Sequence, residues 1–247
     1  MILYIAIVAI QVACIVDVIR HGRNSIWIMA LVFLPLASTI AYLIVEVLPR
    51  LKHNRHLRQA QTQIVEKLDP ERELRAARDA LDVAQTAANR LRLADALTAR
   101  GRHAEALPLY RDAIGNGRPD YRSGEKLARC LFLADRSDEA LNILETMSLP
   151  SAPSDMDRIA LLRGRILEDL GRDDEAGAIY ADLVDRFPGD EVRCRYAGLL
   201  LKQGRKADAR RLLDEVEHRL KRMDRHQRAA NAPMYDWAMT KLAELRA

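Results

Sequence analysis

The sequence has 247 residues, and its 39 basic and 35 acidic side chains leave a formal net charge of only +4. Few aromatic and many charged residues, combined with helical periodicity, favour an all-helical protein. The small basic excess lacks the dense cationic stripe that is typical of nucleic-acid-binding proteins, so nucleic acid is not an expected partner. Three isolated cysteines indicate neither a disulfide framework nor a zinc site.

Two long apolar segments stand at the start of the chain, at residues 2–19 and 25–47. As helices, both reach across a bilayer core of about 30 Å, the first with little tilt. A short polar turn at residues 20–24 joins them, so residues 1–49 are predicted to form a transmembrane helical hairpin. A cleaved signal peptide is the alternative for the first segment, but its start lacks the positive charge of such a peptide.

The hairpin resembles the two-helix membrane segment that precedes the catalytic part of cardiolipin synthases and other phospholipase-D-type proteins. The resemblance depends on residues 17–27, on Leu34 and Pro35, and on residues 41–43. The catalytic signature of that family, His-x-Lys followed by four residues and Asp, is absent from the sequence. The resemblance therefore implies a shared membrane anchor and does not imply phospholipid chemistry.

Residues 50–68 are predicted to form a polar linker that begins with four basic side chains: Arg50, Lys52, Arg55 and Arg58. Positive charge beside a membrane helix tends to stay in the cytoplasm. The loop between the apolar segments carries only two arginines, so we place the following residues on the cytoplasmic side of a bacterial inner membrane. The basic linker either contacts anionic headgroups or lies in solvent, and the sequence leaves both open.

From residue 87 to residue 216 the same local sequence returns four times. Its most regular mark is a small residue, at steps of 34, 36 and 33 residues: Ala106, Ala140, Ala176 and Ala209. A period of this size is typical of a repeat array. Each unit has the pattern of two short helices, and we place the units near residues 87–118, 121–150, 155–188 and 190–216.

The units resemble the tetratricopeptide repeat (TPR). The third unit matches best, because it has five markers at the expected spacing: Gly164, Gly171, Ala176, Tyr180 and Pro188. The resemblance implies an α-solenoid of helix pairs whose concave face is lined by the first helix of each pair. The predicted fold is therefore all-α, with a TPR-like solenoid behind a transmembrane hairpin.

Helices are also predicted on both sides of the repeats. Asp69, Pro70 and Glu71 are typical of a helix start, and the helix after them is expected to cover the first face of the array. The second helix of the fourth unit is predicted to continue to about residue 230, so the repeat region covers residues 69–230. Residues 231–247 are predicted to form a capping helix. Trp237 either closes the apolar core or contacts a partner.

Four arginines are the candidate binding residues. Alignment to the tetratricopeptide pattern places the second and ninth positions of the first helix on the concave face: Arg122, Arg129, Arg158 and Arg165. Residues seven apart share a helix face, and guanidinium groups bind carboxylates through two hydrogen bonds. The groove is therefore predicted to bind an acidic peptide or a protein C terminus. The alternative is a solvated face on which nearby acids pair with the arginines: Glu125, Glu168 and Asp169.

Nothing in the sequence indicates catalysis, because it contains no nucleophile–base–acid set, phosphate-binding glycine loop or metal-ligand cluster. We therefore expect no enzyme activity, metal or cofactor. The predicted function is a membrane-anchored scaffold or adaptor that recruits a protein partner through the concave groove. Two alternatives stay open, namely an accessory subunit of a membrane lipid-modifying enzyme and a periplasmic assembly factor.

Overall fold

The structure, a computed structural model, describes residues 69–247 and, near the N terminus, residues 12, 15, 16 and 18–20. The predicted linker lies outside the described residues, as does all but a few residues of the predicted hairpin. Residues 1–72 and 73–247 form two separate units. Among the helices that are described, none combines the length and the apolar composition needed to cross a bilayer.

Eleven α-helices follow one another in the described region from residue 72 onward. They are α1 Arg72–Val83, α2 Ala87–Ala99, α3 His103–Ile114, α4 Tyr121–Leu133, α5 Ser137–Thr146, α6 Pro153–Asp169, α7 Asp173–Leu183, α8 Glu191–Lys202, α9 Lys206–Leu220, α10 Arg225–Ala230 and α11 Ala232–Arg246. Helices α2 to α9 form four pairs, and the second helix of each pair contacts the first helix of the next. The predicted all-α solenoid of helix pairs is confirmed.

The four alanines that mark the repeat lie near the start of the second helices α3, α5, α7 and α9. Ala106, Ala140, Ala176 and Ala209 are all fully buried. A methyl side chain lets two helix backbones approach closely, while larger side chains such as Tyr110 and Tyr180 fill the space between successive layers. The period of the sequence is therefore the period of the helix contacts.

The same turn joins the two helices of every pair. A leucine of the first helix accepts a hydrogen bond, at 2.8–2.9 Å, from the backbone N–H of the arginine five residues later. The four pairs are Leu97–Arg102, Leu131–Arg136, Leu167–Arg172 and Leu200–Arg205. The residue before each arginine has a positive φ, as this type of helix end requires: Gly101, Asp135, Gly171 and Gly204.

The arginine that follows each turn also pairs with an acidic side chain three residues later. These pairs are Arg102–Glu105, Arg136–Glu139, Arg172–Glu175 and Arg205–Asp208. An acid in the first turn of a helix interacts favourably with the positive end of the helix dipole. The Arg-x-x-acid pattern is thus a second mark of the repeat, and it lies at the start of the second helix in each of the four pairs.

Asp135 occupies the left-handed turn position that glycine occupies in the other three pairs, and its φ is 56°. Replacing Asp135 with glycine is expected to stabilise the protein by up to about 1 kcal/mol, because glycine has no Cβ to disfavour this conformation. Urea unfolding of the full chain in mild detergent, followed by far-UV circular dichroism, measures the change. Gly171→Asp is the matched control and should destabilise; a loss of stability in Asp135→Gly would contradict the prediction.

The second helix of the fourth pair was predicted to continue to residue 230, and this prediction is wrong. Helix α9 ends at Leu220, and α10 begins only at Arg225. The Asp224 side chain caps the new helix by accepting a hydrogen bond from the backbone N–H of Gln227 at 2.9 Å. A run of basic residues spans residues 218–228, and it is therefore divided between α9, the turn after it and α10.

Helix α11 packs on the end of the solenoid. It contacts both α9 and α8, as the first helix of a further pair would do. Tyr235, Ala238 and Leu242 are buried in one cluster with residues of α8 and α9. The hydroxyl of Tyr235 donates a hydrogen bond to Oδ2 of the buried Asp190 at 3.3 Å, so a polar contact holds α11 in place as well as an apolar one.

Candidate functional site

The first helices of successive pairs lie side by side. Helix α2 contacts α4, α4 contacts α6, and α8 contacts α11. Ion pairs connect the same helices, for example Lys126 Nζ on α4 with Asp95 Oδ2 on α2 at 2.6 Å. We call the surface formed by the outward side chains of α2, α4, α6, α8 and α11 the first-helix face. All four predicted binding arginines belong to helices of this face.

Arg122 is an exposed residue of α4 and forms no ion pair within the described part of the chain. Its Nε donates a hydrogen bond to the Tyr121 hydroxyl at 3.0 Å, and its guanidinium lies 5.5 Å from the centroid of the same ring. Asp120 caps the helix start by accepting hydrogen bonds from the backbone N–H groups of Arg122 and Ser123. The Arg122 guanidinium is therefore open to an incoming acid.

Glu125 holds two of the predicted arginines. Arg158 donates from Nε to Oε1 at 2.9 Å and from Nη2 to Oε2 at 2.6 Å, while Arg129 donates to Oε1 at 2.8 Å. The Glu125 side chain is only 8% exposed, whereas those of Arg129 and Arg158 are 47% and 44% exposed. The buried carboxylate thus fixes two guanidinium groups that still reach solvent.

The ionisation of Glu125 depends on these two arginines. Burial alone would raise the pKa of the Glu125 carboxyl, but the hydrogen bonds and charges of Arg158 and Arg129 outweigh burial and lower that pKa. Glu125 is therefore ionised at neutral pH, and it keeps both guanidinium groups oriented.

Arg165 belongs to a second ion-pair cluster between α6 and α8. Its Nη2 pairs with Oε1 of Glu191, which also accepts from Arg195 Nε at 2.9 Å. Arg195 extends the cluster to Glu168, at 3.0 Å from Nη1. Within the described residues, Arg165 Nε is buried and has no hydrogen-bond acceptor. This cluster thus retains one unused donor.

The structure therefore places the four predicted arginines on helices of one face, with Arg129 and Arg158 in one ion-pair cluster, Arg165 in a second and Arg122 outside both. Three of them are ion-paired, and Glu125 fulfils the role that the alternative interpretation gave it. The other two acids of that interpretation have different partners: Glu168 pairs with Arg195, and Asp169 accepts a hydrogen bond from Ser137 at 2.5 Å. Binding of an acidic peptide by these arginines stays a prediction.

A pocket of about 700 Å³ lies beside the second cluster, between α6, α8 and α11. We call it the C-terminal pocket. Four cationic side chains line it, namely Arg165, Arg195, Lys202 and Lys241. Its apolar lining comes from Leu201, Met234 and Trp237. Glu168 and Glu191 are the acids in its wall, so the lining has an excess of two positive charges.

The indole of Trp237 lies beside Gly198 of α8. A Cβ on Gly198 would lie 3.6 Å from both Cη2 and Cζ2 of Trp237, an ordinary contact distance, so this edge of the ring lies close to α8. Burial raises the pKa of the neighbouring Cys194 thiol to about 12, with the charges of Asp190 and Glu191 acting in the same direction. The thiol is therefore protonated at neutral pH, and the pocket has an apolar floor.

The repeat register could have found part of the missed lining. Moving the register of the four arginines by one repeat leads to Ala88 and Asp95 in the first unit and to Glu191 and Gly198 in the fourth. Asp95 and Glu191 are ion-paired on the first-helix face, and Gly198 lines the C-terminal pocket. The register therefore reaches two acids of the face, Asp95 and Glu191, as well as its arginines.

A family model described as the tetratricopeptide repeat matches residues 91–155 and 154–191. These residues include most of α2 and all of α3 to α7. This part of the chain consists of tetratricopeptide repeats. The resemblance predicted for the first three units is confirmed there, and the pair α8–α9 continues the array of helix pairs with the same joining turn.

Solved structures with a similar fold come from several bacteria. PilF of Pseudomonas aeruginosa has a TM-score of 0.53 at 20% identity, over 63% of this chain and 71% of PilF. MamA of Desulfovibrio magneticus RS-1 has a TM-score of 0.55 at 16% identity, over 68% and 94%. A tetratricopeptide repeat protein of Parabacteroides merdae has a TM-score of 0.54 at 19% identity, over 76% and 74%. At such identities the likeness concerns the fold alone, and no curated protein matches the chain.

Proposed function

We propose that this protein is a non-catalytic scaffold, anchored in the inner membrane by residues 2–19 and 25–47, whose first-helix face recruits a protein partner. The observation that supports this most is the row of partly exposed guanidinium groups on a tetratricopeptide solenoid. Stacked helix pairs provide an extended surface for a chain to lie on. The partner that suits this row is an acidic segment of another protein.

The arginines are suited to bind because they are already oriented. Glu125 fixes Arg129 and Arg158 while leaving almost half of each side chain in solvent. A binding site whose side chains are fixed in advance loses less conformational entropy when the ligand arrives. Arg129 uses only Nη2 for Glu125, so the rest of its guanidinium fork stays available for a second carboxylate. Arg158 shows that such a fork can hold two carboxylates, because its Nη1 also donates to Asp155 at 2.8 Å.

Membrane anchoring would allow the groove to recruit a partner even if its affinity for that partner is low. A partner that is confined near the same bilayer meets the groove at a raised effective concentration. The basic cluster after residue 49 supports a cytoplasmic position for the tetratricopeptide repeats, because positive charge next to a membrane helix tends to stay on that side. The proposed partner is therefore a cytoplasmic protein or the cytoplasmic segment of a membrane protein.

Charge reversal of Arg122 and Arg129 in the full chain is expected to abolish capture of the partner, since it replaces two attractive charges with repulsive ones. The measurement is photo-crosslinking in cells, with the crosslinking amino acid in place of Lys126, an exposed residue of α4. The Arg122→Glu/Arg129→Glu variant should lose the crosslinked product that the parent forms. Far-UV circular dichroism should show that its helix content is unchanged.

Arg222→Glu/Arg225→Glu is the matched control, because it changes the net charge equally at exposed positions outside the first-helix face. It should retain the crosslinked product. A product that persists in Arg122→Glu/Arg129→Glu, or that disappears equally in the control, would refute recruitment through these arginines.

A further inference from the structure

We infer that the C-terminal pocket binds an acidic peptide through one large apolar side chain of that peptide, so that α11 forms one wall of the binding site. This inference rests on the proposed function and deepens it, because it specifies the sequence that the partner must carry. The motif is an aromatic or branched apolar residue with acidic residues on both sides.

The apolar part of the motif follows from the floor of the pocket. Leu201 of α8 and Met234 and Trp237 of α11 line it, and all three side chains are only partly buried. The edge of the indole at Cη2 and Cζ2 lies beside Gly198, and both residues line the pocket. A volume of about 700 Å³ lies within the range of clefts that enclose a ligand group. An apolar side chain placed there removes its own surface and that of the floor from water.

The acidic part of the motif follows from the cations on the pocket wall. Arg165 and Arg195 belong to the ion-pair cluster between α6 and α8, and Arg165 Nε has no acceptor within the described residues. Lys202 and Lys241 stand on α8 and α11. The lining therefore offers positive charge from all three helices around one apolar floor, and a peptide with acids on both sides of an apolar residue complements it.

The two lysines are free to change partners. Lys202 Nζ lies 3.3 Å from Asp173, and Lys241 Nζ lies 2.8 Å from Glu244 within the same helix. Their side chains are 56% and 37% exposed, so solvent screens both pairs and little is lost when a lysine turns to a peptide carboxylate.

The wall formed by α11 is held rigidly enough to present a shaped site. Tyr235 and Leu242 are buried against α8 and α9, and the Tyr235 hydroxyl donates to the buried Asp190. Burial and the charge of Asp190 raise the pKa of Tyr235 to about 12, so the phenol keeps its proton at neutral pH. Trp237, two residues from this fixed point, therefore has a defined position.

The test uses a synthetic peptide, fluorescein-Gly-Asp-Glu-Phe-Glu-Asp-Gly, with an amidated C terminus so that no terminal carboxylate contributes. Fluorescence polarisation measures its binding to the full chain in mild detergent. We expect saturable binding, and we expect the dissociation constant to rise at least about tenfold when serine replaces phenylalanine in the peptide. Equal binding of both peptides, or no saturable binding of the first, would overturn the inference.

The protein variant for the same test is Lys202→Glu/Lys241→Glu, which changes one exposed and one partly exposed position outside the buried core. For this variant, the dissociation constant of the phenylalanine peptide should rise at least about tenfold. The matched control is Lys206→Glu/Lys221→Glu, which has the same net charge at exposed positions outside the pocket and should bind as the parent does. Equal weakening by both variants would overturn the inference.

A third variant separates this inference from the proposed function. Suppose that Arg122→Glu/Arg129→Glu weakens binding of the peptide and Lys202→Glu/Lys241→Glu does not. An acidic segment then binds the first-helix face away from the pocket, so the inference fails and the proposed function stands. If no variant changes the affinity for the peptide, and crosslinking from position 126 persists in Arg122→Glu/Arg129→Glu, the inference and the proposed function both fail.

Discussion

Replacing Gly164 with alanine should destabilise the third tetratricopeptide unit by about 1–3 kcal/mol, the cost of adding a methyl group to a filled core. A Cβ at this position would lie 2.5 Å from Cε1 and 3.1 Å from Cζ of Tyr180. Tyr180 is fully buried, and its hydroxyl donates to Glu168 at 3.0 Å, so the ring cannot move without disturbing its neighbours. Urea unfolding of the full chain in mild detergent measures the loss.

Gly177→Ala is the matched control for this prediction, since Gly177 also lies inside a helix of the third pair. A Cβ there would be 3.9 Å from Cδ1 of Leu199, an ordinary contact. Alanine has the better helix propensity, so this variant should gain up to about 1 kcal/mol. If both alanine variants shift stability in the same direction, the close contact with Tyr180 does not decide the outcome.

Removing the charge of Glu125 is expected to cost about 1–3 kcal/mol, because hydrogen bonds between charged groups are lost at a buried position. Glu125→Gln retains the shape of the side chain but replaces one carboxylate oxygen with a donor that faces a guanidinium group. The loss should appear at pH 7 as a lower urea midpoint. Glu145→Gln is a control at a surface ion pair, in which both side chains are almost half exposed, and it should change little.

The stability lost in Glu125→Gln is also expected to depend on pH. The pKa of Glu125 is lowered in the folded protein from its ordinary value of 4.5, because Arg158 and Arg129 outweigh the effect of burial. The unfolded chain therefore takes up this proton first as the pH falls, and the stabilisation is lost below pH 4.5 as the pH falls through the folded pKa. The stability difference between the parent and Glu125→Gln should thus shrink on acidification. A difference that stays constant from pH 7 to pH 3 would contradict this.

The fold was predictable because the repeat marks have fixed physical roles. Ala106 and its three counterparts had to be small where helices touch, and Gly171 had to allow a positive φ, so the sequence shows both at a regular period. The end of α9 carries no such mark. The charged pattern simply continues past Leu220, and the break depends on the Asp224 cap and on Arg228, whose Nη2 donates to the Leu220 carbonyl at 2.8 Å.

The candidate site was predictable only where its residues occupy equivalent positions in successive repeats. Arg129 and Arg165 share a register, but Glu125 stands where the other units have apolar residues: Leu91, Leu161 and Cys194. A carboxylate at an inward position is therefore an exception that periodicity hides. The wall of the C-terminal pocket belongs to α11, which is outside the four units, so no repeat alignment reaches Met234 or Lys241.

The position of α11 also limits how such an array can lengthen during evolution. This helix occupies the surface of α9 on which a fifth pair would stack, so a unit duplicated after residue 220 would have to displace it. A unit inserted between earlier pairs meets no such obstacle. Insertion between α5 and α6 would separate Arg158 from Glu125 but would carry the C-terminal pocket along unchanged, as one transferable block.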